Sequence, residues 1–141
     1  HGITFEPFAR ASYELKTGNM VDQVGAIDHP RISMSAASPD GLVGDDGCLE
    51  IKCPNTATHI ETLLGDEPAK KYYDQMQWQM VCANRSWCDF VSFDPRMPAH
   101  LQLFVKRIER NDIYIAELES EVIRFLAEVD DKVKKLNEIK V

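Results

Sequence analysis

Three side chains in "SPDGLVGDDGCLEIKCP", residues 38–54, have types and spacing that could do chemistry: Asp40, Glu50 and Lys52. Charged groups stay out of packed sheets unless they are paired or bind a metal. In an extended strand, residues two apart share a face and lie roughly 6.5 to 7 Å apart along the backbone. Glu50 and Lys52 therefore project together with Cys48, while Leu49, Ile51 and Cys53 face the other way. The apolar set is expected to enter the core, so the charged set must reach water or have a use. Asp40 lies across a Gly-rich turn, where hairpin pairing can bring it opposite Glu50. Two carboxylates that converge repel, and one keeps a proton unless a divalent cation neutralises them. Hard oxygen ligands suit Mg²⁺ or Mn²⁺, and Mg²⁺ takes one or two protein carboxylates, with water and substrate phosphate completing its shell. Such a site can stabilise phosphodiester hydrolysis. Lys52 would orient or deprotonate the attacking water, or pair with the phosphate. The plainer alternative is a solvated Glu–Lys pair on an exposed hairpin, since an acid-x-Lys triplet alone is common. Pro39-Asp40 and the Gly-rich connection weigh against it.

The elements that must position these groups follow from periodicity. "TFEPFARASYELKTG" reads as a helix closed by Gly18, with Pro7 tolerated in its first turn. "MVDQVGAIDHP" is an extended segment stopped at His29-Pro30, and "ISMSAASPDGLV" a strand interrupted at Pro39-Asp40-Gly41. "GCLEIKCP" pairs with it through "GDDG" as a hairpin. "NTATHIETLLG" is a short helix capped by Asn55 or Thr56 and stopped at Gly65. "AKKYYDQMQWQMVCAN" places Tyr72, Met76, Met80 and Ala83 on one helical face, with Tyr73, Gln77 and Val81 on an adjacent one. "SWCDFVSFD" and "LQLFVKRIE" are two further strands, and the chain ends in a long amphipathic helix. Segregated hairpins and helices favour an α/β (α+β) fold: a central mixed sheet of about five strands flanked by helices.

With 141 residues, 44% of them hydrophobic, residues 1–141 are expected to form a single domain. The start at His1, with a helix already under way, suggests that an N-terminal segment of a longer protein is missing. No apolar run of membrane-spanning length and no signal-peptide pattern occurs, so a soluble cytoplasmic protein without a membrane partner is expected. The net charge of −7 argues against nonspecific coating of nucleic acid but is compatible with a nuclease, whose acids repel phosphate until cations fill the site. Much of that charge lies late in the chain, where Asp112, Glu117, Glu119, Glu121, Glu128, Asp130 and Asp131 are offset by Arg124 alone.

"SPDGLVGDDGCLEIKCP" closely resembles the active-site hairpin of the lambda-type exonucleases, or YqaJ-like viral recombinase nucleases, of the PD-(D/E)xK superfamily with its restriction-endonuclease-like core. "HGITFEPFAR" resembles that family's HGxxxE helix, "YYDQMQWQM" its QxQ helix, and "FDPRM" the segment after its next strand, in family order. The resemblance implies Asp40, Glu50 and the Ile51 carbonyl as metal ligands, Glu6 as a further ligand from the helix, and Lys52 as the catalytic lysine. It offers Gln75 and Gln77 as helix glutamines, with Gln77 favoured at the site, and Ser38 and Tyr73 as supporting or DNA-contacting residues. It further implies one or two Mg²⁺ ions per site, replaceable by Mn²⁺, and digestion of linear double-stranded DNA from 5′ to 3′, releasing mononucleotides and leaving 3′ overhangs. A homotrimer, a single-strand annealing partner and a phage or prophage origin in a bacterial host complete that picture. An endonuclease on the same core and a non-catalytic DNA-binding module are the alternatives.

Other residues carry weaker signals. His1, His29, His59 and His100 form no zinc pattern, and His59 is expected at the surface. Cys48, Cys53, Cys82 and Cys88 read as free thiols, because Cys48 and Cys53 have opposite strand parity and would not converge on an iron–sulfur cluster. Lys70, Lys71, Arg96, Lys106, Arg107 and Arg110 could touch phosphate, but each singly reads as a solvated charge. Trp78 and Trp87 read as core or interface residues.

Overall fold

The computed structural model describes residues 4–139, in two compact units, residues up to Arg110 and from Asn111 onward. The first unit runs α1 (Glu6–Thr17), β1 (Val21–Asp22), β2 (Ile27–Asp28), β3 (Ala36–Ala37), β4 (Gly41–Val43), β5 (Gly47–Lys52), α2 (Thr56–Gly65), α3 (Lys70–Ala83), β6 (Trp87–Phe93) and β7 (Leu103–Glu109), with a 3₁₀ turn at Ala99–Leu101 before β7. The five-stranded sheet has the order β1-β4-β5-β6-β7 and is mixed: β5 and β6 are parallel and the other neighbours antiparallel.

β4 and β5 form the anticipated hairpin. Gly41 pairs with Leu49 and Val43 with Gly47, and Gly44 turns with a left-handed φ of 56°. Gly47 lies opposite Trp87 of β6, and any side chain there would run into the indole. The parallel pair needs a crossover, which α2 and α3 supply. Asn55 caps α2 by accepting from the Thr58 amide at 2.9 Å.

Both faces of β5 are buried. Leu49 and Ile51 join Ala9 and Tyr13 of α1, Val43, Val91 and Phe93 in one core layer, while Cys48 joins Met76 and Met80 of α3, Cys88, Phe90 and Phe104 in another. The alternation therefore holds, and of the two outcomes open to the charged face, water or a use, the Glu50 position excludes water. It lies beneath α3, and Glu50 is only 5% exposed. Strands covered on both faces are what a parallel pair in a mixed sheet produces.

The expected strand over 32–43 is broken. Residues 31–35 bend, Met34 takes a left-handed φ of 63°, and β3 spans two residues paired with β2 as a separate ribbon. His29 anchors that ribbon: its Nδ1 accepts from the amides of Arg31 and Ile32 at 3.0 Å each, and its ring lies 5.1 Å from that of Trp78. On α1 only Ala9 and Tyr13 are fully buried, and Phe8 and Leu15 are exposed, so the apolar residues of this helix are not one stripe.

The second unit is α4 (Asp112–Asn137), started by Asn111, whose side chain accepts from the Tyr114 amide at 3.0 Å, and closed by paired Lys134–Asp130 and Lys135–Asp131 contacts. Among the described residues no helix is long and apolar enough to cross a membrane.

Candidate active site

Pairing carries one residue beyond β4, where the Asp40 amide donates to the Leu49 carbonyl at 3.1 Å. That places the Asp40 side chain beside β5, and its Oδ2 accepts from the Ile51 amide at 2.7 Å. The Asp40 carboxyl also lies close enough to those of Glu50 and of Glu6, at the start of α1, to act on both. Three acids far apart in sequence thus meet around Asp40. Burial, and then the contact with Asp40, push Glu50 up to about 8, against the pull of Lys52 and of Gln79. The same two causes raise Glu6, opposed by Arg10, whose guanidinium lies 3.6 Å from it. A raised Glu50 is what burial beside a second acid produces when the counter-charge is too small to offset it.

This donor set fits a hard divalent cation. A cation would relieve the repulsion between two converging carboxylates, and the Ile51 backbone, next to Asp40, offers a main-chain oxygen. Among the described residues no group of three or more His, Cys, Asp or Glu side chains is arranged to hold a metal ion. Glu6 stands at the edge of the group, its side chain 42% exposed.

Lys52 leaves β5 on the Glu50 side, its Nζ 4.6 Å from the centre of the Tyr72 ring. Tyr72 stacks on Phe90, with ring centres 5.8 Å apart, and Lys71 approaches the same ring at 5.0 Å. The aromatic ring at the lysine is that of Tyr72, and the neighbouring Tyr73 is half-buried. Ser38, two residues before Asp40, is exposed.

The helix glutamines also differ from expectation. Gln77 is fully buried, but its Nε2 donates to the Glu109 carbonyl of β7 at 2.9 Å, tying α3 to the sheet away from Glu50. The glutamine on Glu50 is Gln79, whose Nε2 donates to Oε2 at 2.7 Å. Gln79 lies seven residues after Tyr72, two helical turns on, so the face that carries Tyr72 could have revealed it. Gln75, one turn before Gln79, is exposed.

These distances are set by the same segments that resemble the lambda-type exonucleases. The model of the YqaJ-like viral recombinase domain matches residues 1–86. The chain belongs to that family. An alkaline exonuclease from Laribacter hongkongensis, LHK-Exo, is 56% identical and superposes with a TM-score of 0.93 over 94% of this chain and 69% of its own. A structure of LHK-Exo in complex with dAMP matches equally, over 68% of its length. A phage related exonuclease from Haemophilus somnus 129PT, 19% identical, shares the fold with a TM-score of 0.77 over 94% of this chain and 70% of its own. No curated protein matches the chain.

Most of the remaining candidates have structural partners. His59 is fully buried, contrary to the surface position expected. Its Nε2 faces the Leu101 carbonyl at 2.7 Å, which can only accept, so Nδ1 accepts from the Ser92 hydroxyl, also at 2.7 Å. Arg96 bonds Asp94 at 2.7 Å and the Pro54 carbonyl at 3.0 Å, Lys106 bonds Asp66, and Lys70 bonds Asp74. Arg107 grips Asp89 and stacks on Trp87 at 3.5 Å from the ring centre. Cys48, Cys82 and Cys88 are buried and Cys53 is exposed, and none of these four thiols is in a disulfide.

Proposed function

We propose that this domain is a metal-dependent exonuclease acting on linear double-stranded DNA. The observation that carries the reading is the meeting of Asp40, Glu50 and Lys52 at one end of the β4–β5 hairpin, in a chain 56% identical to a protein described as an alkaline exonuclease. In this reading Asp40, Glu50 and the Ile51 carbonyl hold one Mg²⁺, replaceable by Mn²⁺, and Glu6 serves a second ion. The ion supplies Lewis-acid charge to the phosphodiester as it is cleaved. Asp40 and Glu50 fix its place through two strands whose register is set by hairpin pairing. Lys52, steadied by the Tyr72 ring, presents its ammonium to the phosphate or orients the attacking water.

The finer features belong to the same proposal: 5′ to 3′ polarity, mononucleotide products, 3′ overhangs, a trimer around DNA, an annealing protein as partner, and action in the cytoplasm of a bacterial host carrying a phage or prophage. Incubating full-length protein with 5′-phosphorylated linear duplex should release acid-soluble nucleotide in Mg²⁺ and leave covalently closed circles intact. Absence of release in both Mg²⁺ and Mn²⁺ would refute the enzyme, and cutting of closed circles would convert it to an endonuclease.

A further inference from the structure

Glu50 is the more constrained of the two acids, and the constraint comes from α3. We propose that Gln79 is a positioning residue that holds the Glu50 carboxylate in the orientation in which it and Asp40 can share a cation. The inference rests on the metal-dependent reading above.

Both partners are almost fully enclosed, Gln79 4% and Glu50 5% exposed, and the bond between them is 2.7 Å. A buried amide cannot be replaced by water at that spot, so the carboxylate has one direction in which Oε2 is satisfied. Oε2 gives one of its lone pairs to the helix, which leaves Oε1 the less engaged oxygen for a cation. The amide itself is oriented. The Cys88 thiol, at the same register position on β6 as Cys48 on β5, lies 3.9 Å from Gln79 Oε1, where a thiol is a weak donor. With Oε1 turned to the thiol, Nε2 points at Glu50. A relay runs from β6 through α3 to β5, and each member is fixed by packing: Cys88 is fully buried, and Met76 and Met80 flank Gln79 on the helix.

An amide suits this position better than its alternatives. A carboxylate at 79 would add a further acid to a site that already holds Glu6, Asp40 and Glu50, and a cation would compete with the metal. A neutral donor restrains Glu50 without adding charge. Hydrogen-bond partners of metal-binding carboxylates commonly contribute about 10- to 100-fold to metal affinity.

The test is calorimetric titration of Mn²⁺ into the full-length protein without DNA, alongside a thermal melt. Gln79→Met preserves length and volume while removing the amide, and Gln79→Asn leaves an amide too short to reach. In whichever variant melts cooperatively near the wild-type temperature, the Mn²⁺ Kd should rise about 10- to 100-fold. The nuclease rate of that variant should recover as Mn²⁺ is raised, with substrate KM little changed. Wild-type Mn²⁺ affinity in a folded variant would overturn the proposal, as would loss of folding in both, which would make Gln79 a structural residue. Asp40→Asn is the separate control. If Mn²⁺ binding is absent in the wild type or survives that change undiminished, the metal-dependent reading itself fails, whatever Gln79 does.

Discussion

The sheet buries a carboxylate on each of its faces, and the two are treated oppositely. Asp89 of β6, on the α1 side, accepts from the Tyr13 hydroxyl at 2.6 Å and from Arg107 at 2.8 and 3.1 Å. Its charge is answered within the chain, and burial together with that bond pushes Tyr13 up to about 12, so the tyrosine stays a donor. Glu50 of β5, on the α3 side, meets another acid and one neutral amide, with Lys52 as its nearby cation. A buried acid with a guanidinium holds the fold together. A buried acid set against a second acid stores an electrostatic cost that a cation can relieve, and such an arrangement belongs to a site.

The largest effect that could break this contrast is on activity. Lys52→Ala should lower nucleotide release by about 10²- to 10⁴-fold with an unchanged circular dichroism melt. Exchanging the two acids' fates is the sharper test. Glu50→Gln should abolish release yet leave the melting temperature equal or higher, because a neutral amide avoids the cost of burying an acid beside Asp40. Asp89→Asn should do the reverse, costing about 2 kcal/mol in urea unfolding, a figure kept low because Arg107 is 46% exposed, while release per folded molecule persists. If Glu50→Gln unfolds the protein and Asp89→Asn does not, the two roles are reversed.

A third carboxylate extends the structural side. Burial would raise Asp94, but donors from Thr56 at 2.6 Å and from the Arg96 side chain and amide outweigh it and hold Asp94 at about 2. A carboxylate depressed in the folded state stabilises fully above its unfolded value of about 4 and loses that contribution as pH falls through about 2. Unfolding free energy measured between pH 5 and 2 should therefore drop less steeply in Asp94→Asn than in the wild type; parallel profiles would show that Asp94 is not so held. Smallest is Tyr13→Phe, expected to cost about 1 kcal/mol by removing one bond to Asp89 while leaving Arg107 in place.

Much of this contrast was legible in the sequence, and the failures share a cause. Alternation and turn chemistry located the hairpin, so Asp40, Glu50 and Lys52 could be placed together before any coordinates. The burial of Glu50 under α3 was not legible, because alternation says which residues share a face, not what covers it. The glutamines failed for a related reason. α3 buries Met76, Gln77, Gln79, Met80, Val81 and Cys82, nearly all the way round, so its apolar pattern does not single out the sheet-facing side. Gln77 and Gln79 are both buried, and only the packing shows that one serves β7 and the other β5. β2 and β3 were misread because two-residue strands carry no periodicity, and His59 because the Leu101 carbonyl that buries it lies 42 residues away.

The mixed pairing of β5 has a kinetic consequence. Its antiparallel partner is reached through the short turn at Gly44, whereas its parallel partner requires everything from Cys53 to Ser86 to be in place. Local hairpins close in microseconds, while long-separation pairing waits on loop closure. The strands carrying Asp40 and Glu50 are thus expected to meet early in folding, and Gln79, carried in on the crossover, to reach Glu50 after the two acids have already found each other.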